Sequence, residues 1–196
     1  MFLKTACMGR IRTYDPDEAL DAAMRVFWRK GFAETSYDDL TRETGVSRKG
    51  LYTSFGDKHA LFLKALERYR TTIGIGFLTE LDQPEPTRET IVAMFRRIGE
   101  MSKTEFGRMG CFMANTAADE TVRDRDVGAQ VHAHLEAMRK RFAFALEAAD
   151  VPAERVTSLA DYLVGVLQGL LLLAHAGAAP TLIDNFVAEG MRAVEA

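Results

Sequence analysis

The fold is decided by residues 36–58, which read Ser-Tyr-Asp-Asp-Leu-Thr-Arg-Glu-Thr-Gly-Val-Ser-Arg-Lys-Gly-Leu-Tyr-Thr-Ser-Phe-Gly-Asp-Lys. Ser36 is a residue type that caps helix N-termini, and Asp39 three places later can complete a capping box. Gly45 stands where the chain must turn, because glycine adopts left-handed backbone angles at little cost. Ser47 can then cap a second helix. The pattern predicts two short helices joined by a tight turn.

The second of these helices is basic and aromatic, since residues 48–52 read Arg-Lys-Gly-Leu-Tyr. Gly56 ends it, and Asp57 can cap the helix that follows. A helix–turn–helix of this kind lays its second helix in the major groove of DNA. The stretch therefore predicts a DNA-binding module with the second helix as its recognition helix.

The rest of the chain also shows helical periodicity, so the predicted fold class is all-α. A first helix is predicted from the Asp15-Pro16 cap to Gly31, and the helix capped by Asp57 is expected to continue to about Leu81. Later helices are predicted over residues 87–101, 111–119, 123–149 and 152–175 and from Pro180 onward. We expect an N-terminal three-helix domain over residues 1–60 and a C-terminal helical domain over residues 61–196.

Charge is distributed unevenly between these two parts. The net charge of the 196 residues is −3, yet residues 1–70 hold 13 basic against 10 acidic residues and are positive by 3. Residues 71–196 hold 12 against 18 and are negative by 6. A basic N-terminal part on an acidic remainder indicates that only the former meets a polyanion. Ordinary scatter of charge is the alternative interpretation, which the position of the excess on the helix–turn–helix disfavours.

Cysteine content and apolar segments indicate the compartment. The chain has only Cys7 and Cys111, far apart and without metal-ligand spacing, which is typical of a reducing environment. Residues 1–15 lack the apolar segment of a secretory signal, and the longest apolar run, residues 162–174, is too short to span a bilayer. We expect a cytoplasmic protein with no membrane partner.

Residues 16–62 resemble the DNA-binding domain of the tetracycline-repressor (TetR) family of bacterial transcriptional regulators. The resemblance covers about a quarter of the chain, and many positions match in one register: Ala19, Leu20, Phe27, Gly31, Phe32, Thr35, Ser36, Leu40, Gly45, Val46, Ser47, Leu51, Tyr52, Phe55, Lys58, Leu61 and Phe62. The family usually has alanine where Thr44 stands. The resemblance implies a homodimeric regulator that binds a double-stranded operator and responds to a small molecule.

The chemistry of the predicted recognition helix fits DNA. Arg48 and Lys49 can donate to guanine O6 and N7, and Gly50 lets a base or the backbone come close. The remaining candidates offer hydroxyl groups or cations to phosphates: Ser47, Tyr52, Thr53 and Ser54 from the residue types, and Thr35, Ser36, Tyr37, Tyr52 and Lys58 from the resemblance. For Lys4, Arg10 and Arg12 two interpretations stay open, a disordered basic tail or an arm that adds phosphate contacts.

The resemblance also implies an effector cavity in the C-terminal domain. Candidate lining residues are Phe77, Met94, Ile98, Cys111, Met113, Asn115, Phe142, Gln168 and His175. Apolar and methionine-rich walls favour a lipophilic ligand, although each residue is also explained as plain core. A thiol-sensor role for Cys111 beside Arg108 is a further hypothesis, and an inert buried thiol is its alternative.

Of the last two predicted helices, the first is apolar nearly all round and the second has one apolar face, which predicts a four-helix dimer interface with one pair from each subunit. Candidate interface residues are Leu159, Leu163, Val166, Leu170, Ile183, Phe186, Val187 and Met191; filling of the monomer core is the alternative. No catalytic triad, nucleotide loop or zinc signature is present in the sequence, so no enzyme activity, cofactor or metal is predicted. A helical enzyme and a DNA-binding protein without effector are the rival hypotheses to a ligand-responsive repressor.

Overall fold

The computed structural model describes residues 14–74 and 76–195, and these residues form helices and no strand. The α-helices are α1 (Pro16–Glu34), α2 (Tyr37–Thr44), α3 (Arg48–Phe55), α4 (Lys58–Tyr69), α5 (Arg88–Ser102), α6 (Phe112–Ala117), α7 (Arg125–Ala148), α8 (Ala153–His175) and α9 (Pro180–Glu195). A π-helical turn occupies Arg70–Gly74, and 3-10 turns lie at Thr79–Asp82, Gly107–Met109 and Glu120–Arg123. The predicted all-α class is confirmed.

Helices α1–α3 form a compact unit that we call the head, and α4–α9 form what we call the body. The head packs around the fully buried side chains of Phe27, Leu40 and Leu51. Regular geometry in α1 breaks at Gly31, whose φ of 76° is left-handed, although one further turn runs on to Glu34. The break at Gly31 agrees with the prediction, because glycine alone adopts this angle without steric cost.

The fourth helix is shorter than the sequence predicted. It ends at Tyr69, where the backbone changes to a π-helical turn, and no regular helix continues through the described residues to Leu81. Glycines at positions 74 and 76 explain the difference, since glycine lowers helix stability by roughly 1 kcal/mol relative to alanine. The predicted domain boundary after residue 60 falls within α4, which packs against both α1 and α7, and it stays a prediction.

The body is built around α8, which packs against α7, α5 and α9. Nine of its residues are buried, and they recur at helical spacing from Val156 to Ala174. By length and composition α8 is also the one described helix that could cross a membrane, a test that the core helices of soluble proteins pass as well. Its packing inside the body accounts for its apolar composition.

Candidate nucleic-acid interface

Asp39 is the centre of the polar contacts that hold α2 in the head. The backbone N–H and the hydroxyl of Ser36 donate to its Oδ2 at 3.1 and 2.7 Å, which completes the predicted capping box. Lys30 from α1 and Arg42 donate to Oδ1 at 2.7 and 2.6 Å. The hydrogen bond from Lys30, followed by those from Ser36 and Arg42, holds the pKa of Asp39 well below its usual range. The charged carboxylate therefore joins α2 to α1.

The turn between α2 and α3 has the predicted geometry. Gly45 is left-handed with a φ of 67°, and its N–H donates to Thr41 O at 3.0 Å. The Thr44 hydroxyl donates to Leu40 O at 2.7 Å and accepts from Val46 N at 3.1 Å. Ser47 caps α3 by accepting from Gly50 N at 3.2 Å. Threonine at position 44 thus adds two hydrogen bonds to the turn.

One face of α3 is exposed and carries cations and hydroxyl groups. Arg48, Lys49, Tyr52 and Thr53 are exposed, and the Tyr52 side chain is 63% accessible. The opposite face buries Leu51 and Phe55 in the head. This arrangement presents two positive charges and an aromatic hydroxyl on a helix whose orientation is fixed by burial and by its caps.

Two of the predicted cations stack on aromatic rings. The guanidinium of Arg48 lies 4.2 Å from the ring centroid of the half-buried Tyr37, and the ammonium of Lys58 lies 4.5 Å from that of Phe32. Burial lowers the pKa of Lys58, while the charge of Glu34 opposes that shift. Both side chains are thus held near the surface of the head by cation–π contacts, which are worth about 0.5–1 kcal/mol at exposed sites.

Thr35 does not fit its predicted role. Its side chain is only 1% exposed, and its hydroxyl donates to Gly31 O at 2.6 Å. Because a buried and already paired hydroxyl cannot reach a phosphate, the prediction for this side chain is corrected to a structural contact. Ser36, by contrast, is exposed at the N-terminus of α2, where its hydroxyl also serves Asp39.

Tyr14 is a contact of the recognition helix that the sequence did not indicate. Its hydroxyl donates to Gly50 O at 3.1 Å and lies 2.5 Å from the Oγ of the half-buried Ser54. The Ser54 hydroxyl is therefore engaged inside the protein. No local sequence pattern connects residues separated by 36 and 40 positions, so only the packing reveals this contact.

The predicted effector residues separate into three groups. Phe77, Ile98, Cys111 and Gln168 line one small internal space of about 10 Å³, close to what a single water needs. Three others are buried in the body without lining that space: Met94, Met113 and Phe142. Asn115 and His175 lie instead on a separate cavity of about 190 Å³ between the head and the body. The structure does not bring the nine residues into one site.

Cys111 is buried beside Tyr69 and His134. Burial raises the pKa of the Cys111 thiol, and the His134 Nε2 lies 3.9 Å from its sulfur. Burial also lowers the pKa of His134 to about 4, with smaller contributions from the charges of Arg70 and Arg141. A thiol sensor needs a low pKa, so the environment favours the inert alternative. Among the described residues no group of three His, Cys, Asp or Glu side chains is arranged to hold a metal ion.

Side chains from the head and the body hold the segment 107–110 together. Trp28 Nε1 in α1 donates to Met109 O at 3.0 Å, and Asn115 Nδ2 in α6 donates to the same carbonyl at 2.9 Å. His175 Nδ1 at the end of α8 lies 3.0 Å from Arg108 O. Trp28 is therefore a direct link from the head to the body, in addition to its role in packing.

The predicted dimer residues are placed differently from what the sequence suggested. Phe186 is half-buried. The other seven are buried inside their own chain: Leu159, Leu163, Val166, Leu170, Ile183, Val187 and Met191. Their burial by their own chain favours the alternative of filling the monomer core, and the interface assignment stays a prediction. The exposed apolar residues of α8 and α9 are others, namely Tyr162, Leu172 and Leu182 at 46%, 55% and 46% accessibility.

The fold and the exposed cations of α3 define a helix–turn–helix DNA-binding protein. The family model for bacterial regulatory proteins of the tetR family matches residues 19–65, and the model for the C-terminal domain of LmrA/YxaF-like transcriptional regulators matches residues 87–189. The chain belongs to the TetR family. It is accordingly a DNA-binding protein of transcription regulation, and the predicted family membership is confirmed.

Named proteins of similar sequence and structure agree with the assignment to the TetR family. The HTH-type transcriptional repressor ComR of Escherichia coli is 31% identical over 176 residues, covering 87% of this chain and 84% of ComR. The HTH-type transcriptional repressor BdcR of the same species is 26% identical over 169 residues, covering 86% and 83%. The structure of a cysteine mutant of the TetR family regulator CifR, complexed with 26-base-pair operator DNA, superposes with a TM-score of 0.79 at 27% identity, covering 95% of this chain and 99% of that one.

Proposed function

We propose that the protein is a cytoplasmic repressor that binds a pseudo-palindromic operator as a homodimer and leaves it when a small lipophilic molecule binds. The exposed row of cations and hydroxyl groups on α3, opposite buried Leu51 and Phe55, carries the proposal. The names of ComR and BdcR as repressors, and the operator bound to CifR, support the same function. Family membership supports the dimer and the effector.

The accessible side chains of the head and of the first residue of α4 divide into two roles. We assign Arg48 and Lys49 in the first turn of α3 to base edges, since arginine forms bidentate hydrogen bonds with guanine. Contacts to phosphate are assigned to the remaining accessible candidates: Ser36, Tyr37, Ser47, Tyr52, Thr53 and Lys58. Gly50 and Ser54 face Tyr14 and serve the position of α3 rather than the DNA. Phosphate contacts provide affinity, and base contacts provide sequence selectivity.

A homodimer through α8 and α9 would use their exposed apolar surface. Tyr162, Gly169 and Leu172 share one side of α8 at helical spacing, and the ring of Phe186 from α9 reaches 3.0 Å from the position that a Cβ at Gly169 would occupy. Leu182 lies one turn before Phe186 on α9. Two such surfaces would form a four-helix interface. The two recognition helices would then meet successive major grooves, about 34 Å apart.

The proposed effector response couples the body to the head through Trp28. The space around Cys111 is about 10 Å³, so a ligand that binds there must bind a conformation in which this space is larger. Such a ligand shifts the population toward the conformation with the larger space, by as much as it binds that conformation more tightly than the other one. Movement of the segment 107–110 would be transmitted to α1, because Trp28 donates to Met109 O.

A second candidate function is DNA binding without an effector. The nearly filled space around Cys111 favours this alternative, since it leaves no room for a ligand in the interior of the body at that position. The two candidates differ in one measurable property. A regulator with an effector releases operator DNA when an apolar ligand is added, whereas a protein without an effector stays bound at every ligand concentration.

The proposal is tested by fluorescence anisotropy on DNA from upstream of the protein's own gene, with a scrambled duplex as control and a series of salt concentrations. We expect selective binding, with an association constant whose logarithm falls linearly with the logarithm of the salt concentration. In vitro selection from random duplexes extends the search to distant operators. Failure to enrich any duplex, together with equal binding to both upstream and scrambled DNA, would contradict the proposed function.

A further inference from the structure

The cavity of about 190 Å³ between the head and the body is large enough for a small molecule. We call it the junction cavity, and its walls come from the second half of α1, from α4, from α6 and the turn after it, and from the end of α8. No described residue lines both this cavity and the small space around Cys111. Since an apolar cavity of about 150 Å³ accommodates benzene, the junction cavity has room for one ring with a short chain.

The inner walls of the junction cavity are aromatic. Phe27, Phe62 and Phe112 line it and are at most 1% exposed, and Trp28 is 3% exposed. The ring centroids of Phe27 and Phe62 are 5.1 Å apart, and those of Phe62 and Phe112 are 5.7 Å apart. Rings that pack edge to face in this way hold one another in place and offer water few partners. The inner walls therefore favour an apolar ring.

Asp119 places a negative charge at the rim of the junction cavity, because it lines the cavity and is itself exposed. Its Oδ1 accepts from the Thr121 hydroxyl and from Thr121 N, the latter at 2.7 Å. These hydrogen bonds, first that of the hydroxyl and then that of the N–H, lower the pKa of Asp119, so the carboxylate is charged at neutral pH. Among the described residues none donates to its Oδ2, which leaves that oxygen for a ligand.

Two further lining residues offer acceptors and no free donor. Asn115 uses its Nδ2 to donate to Met109 O at 2.9 Å, which leaves its amide oxygen. His175 Nδ1 lies 3.0 Å from Arg108 O, and since a carbonyl only accepts, this nitrogen carries the proton. The Nε2 of the neutral ring is then an acceptor. The polar part of the junction cavity thus matches a ligand that donates hydrogen bonds.

The two basic residues that line the cavity are paired with carboxylates of α2. Lys30 Nζ donates to Asp39 Oδ1 at 2.7 Å, and Arg29 Nη2 donates to Glu43 Oε2 at 3.2 Å. Outside the described residues lie the basic candidates of the N-terminal stretch: Lys4, Arg10 and Arg12. Within the described part of the chain, Asp119 is therefore the charged group of the cavity walls that has no ionic partner.

We infer that the junction cavity binds a small organic amine, whose apolar ring lies against Phe62 and Phe112 and whose ammonium group pairs with Asp119. An ammonium group has three donors, which is the number of acceptors that Asp119, Asn115 and His175 offer. Aromatic walls add cation–π attraction for the same group. Because the cavity joins α1 to α6 and α8, the bound amine contacts the head and the body at once. The inference goes beyond the proposed operator binding and does not depend on it.

The experiment measures binding without DNA, by isothermal titration calorimetry and by the fluorescence of Trp28, the single tryptophan of the chain and part of the cavity wall. The probes are phenethylamine, phenethyl alcohol and phenylpropionate, which carry the same ring with a positive, a neutral and a negative end. At neutral pH we expect the amine to bind about fivefold more tightly than the alcohol, the upper end for an exposed ion pair, and the carboxylate to bind most weakly. Equal affinities for the three probes, or no binding of the amine, would overturn the inference.

Asp119→Asn tests the ion pair, since it removes the charge and keeps an acceptor oxygen for Thr121. We expect it to weaken binding of the amine about fivefold and to leave that of the alcohol unchanged. The matched control is Glu120→Gln, because Glu120 is the next residue, has a side chain that is 90% exposed and does not line the cavity. We expect this control to keep the wild-type affinities. Equal weakening of amine binding in both variants would replace the site by a general attraction to acidic surface and would overturn the inference.

The position of the site is tested by comparing the two signals. We expect the fluorescence of Trp28 to change over the same range of amine concentration as the heat of binding. Binding heat with unchanged fluorescence would place the amine elsewhere and would overturn the inference. Since these titrations contain no DNA, their failure leaves the proposed operator binding intact, and a failure of operator binding leaves the amine site intact.

Discussion

The recognition helix α3 and the long helix α8 use their surfaces in opposite ways. The eight residues of α3 bury only Leu51 and Phe55 and leave a charged face in water. The 23 residues of α8 bury nine side chains and leave apolar residues such as Leu172 on the surface. Side chains that would bind DNA on α3 are therefore not those that stabilise the head, whereas most of α8 stabilises the body. Substitutions should therefore change either the affinity for DNA or the stability of the fold, and seldom both.

Leu170→Ala in α8 is expected to have the largest effect on stability. The side chain is fully buried, so its truncation should lower the free energy of unfolding by about 2–5 kcal/mol, measured by urea denaturation. Leu172→Ala, two residues away and 55% exposed, is the matched control and should cost much less in the isolated chain. Equal losses for both variants would contradict the division of α8 into a buried and an exposed side.

His134→Gln tests the burial of side chains in the body through the pH dependence of the free energy of unfolding. Because burial lowers the pKa of His134 to about 4, the unfolded chain, with a pKa near 6.5, binds a proton between these values that the folded chain does not. The free energy of unfolding should therefore fall as pH decreases from about 6.5 to about 4, by up to about 3 kcal/mol, and be unaffected by this group above that window. We expect the glutamine variant to lack this part of the pH dependence of the free energy of unfolding.

The control for this measurement is His132→Gln, which removes an exposed histidine from the same helix. Urea denaturation at a series of pH values gives the difference between each variant and the wild type. A variant at position 134 whose pH dependence matches that of the wild type would show that the buried imidazole is not excluded from protonation in the folded protein.

Arg48→Ala tests the other side of the comparison. If Arg48 contacts a base, its loss should cost about 1–3 kcal/mol of operator affinity and relax the sequence preference at one position, with little change in the melting temperature. Lys58→Ala is the control for a phosphate contact, and it should weaken all duplexes alike and lower the salt slope by about one. Equal weakening of every sequence by Arg48→Ala would remove this residue from the set that reads bases.

Ser36→Ala should lower the stability of the head by a small amount. The substitution removes the side-chain cap of α2 and one hydrogen bond to Asp39, which typically costs about 1 kcal/mol. Chemical denaturation provides the measurement, and Ser36→Thr, which keeps a capping hydroxyl, provides the control. A threonine variant as unstable as the alanine variant would show that the cap contributes nothing here.

Sequence patterns were sufficient in the head because its signals are local. The capping box of Ser36 and Asp39, the left-handed Gly45 and the cap at Ser47 each involve residues within four positions of one another. Such contacts form wherever the local backbone allows them. Thr35 and Ser54 are exceptions, because the burial of Thr35 depends on how α1 and α2 pack and the partner of Ser54 is Tyr14, 40 positions away.

Sequence patterns were insufficient in the body, because helical periodicity identifies an apolar helix face but does not show whether the same chain or a second copy covers it. The stripe of α8 was predicted as a dimer interface, yet Leu163 and Leu170 are covered by the same chain. The effector candidates failed to converge for a related reason: Met94 and Phe142 are apolar at the right spacing, but their neighbours fill the space around them. His134 and Tyr69 beside Cys111 were missed, since no pattern connects three distant helices.

By itself, the sequence determined that the chain is all-helical, that a helix–turn–helix lies at residues 36–58, and that cations occupy the exposed face of α3. Only the tertiary structure decided which apolar residues are core, that Thr35 is buried, that Tyr14 rests on α3, and that Trp28 joins the head to Met109 O. The physical reason is the range of the interactions. Caps and turns depend on a few consecutive residues, whereas burial and long-range hydrogen bonds depend on the whole packed chain.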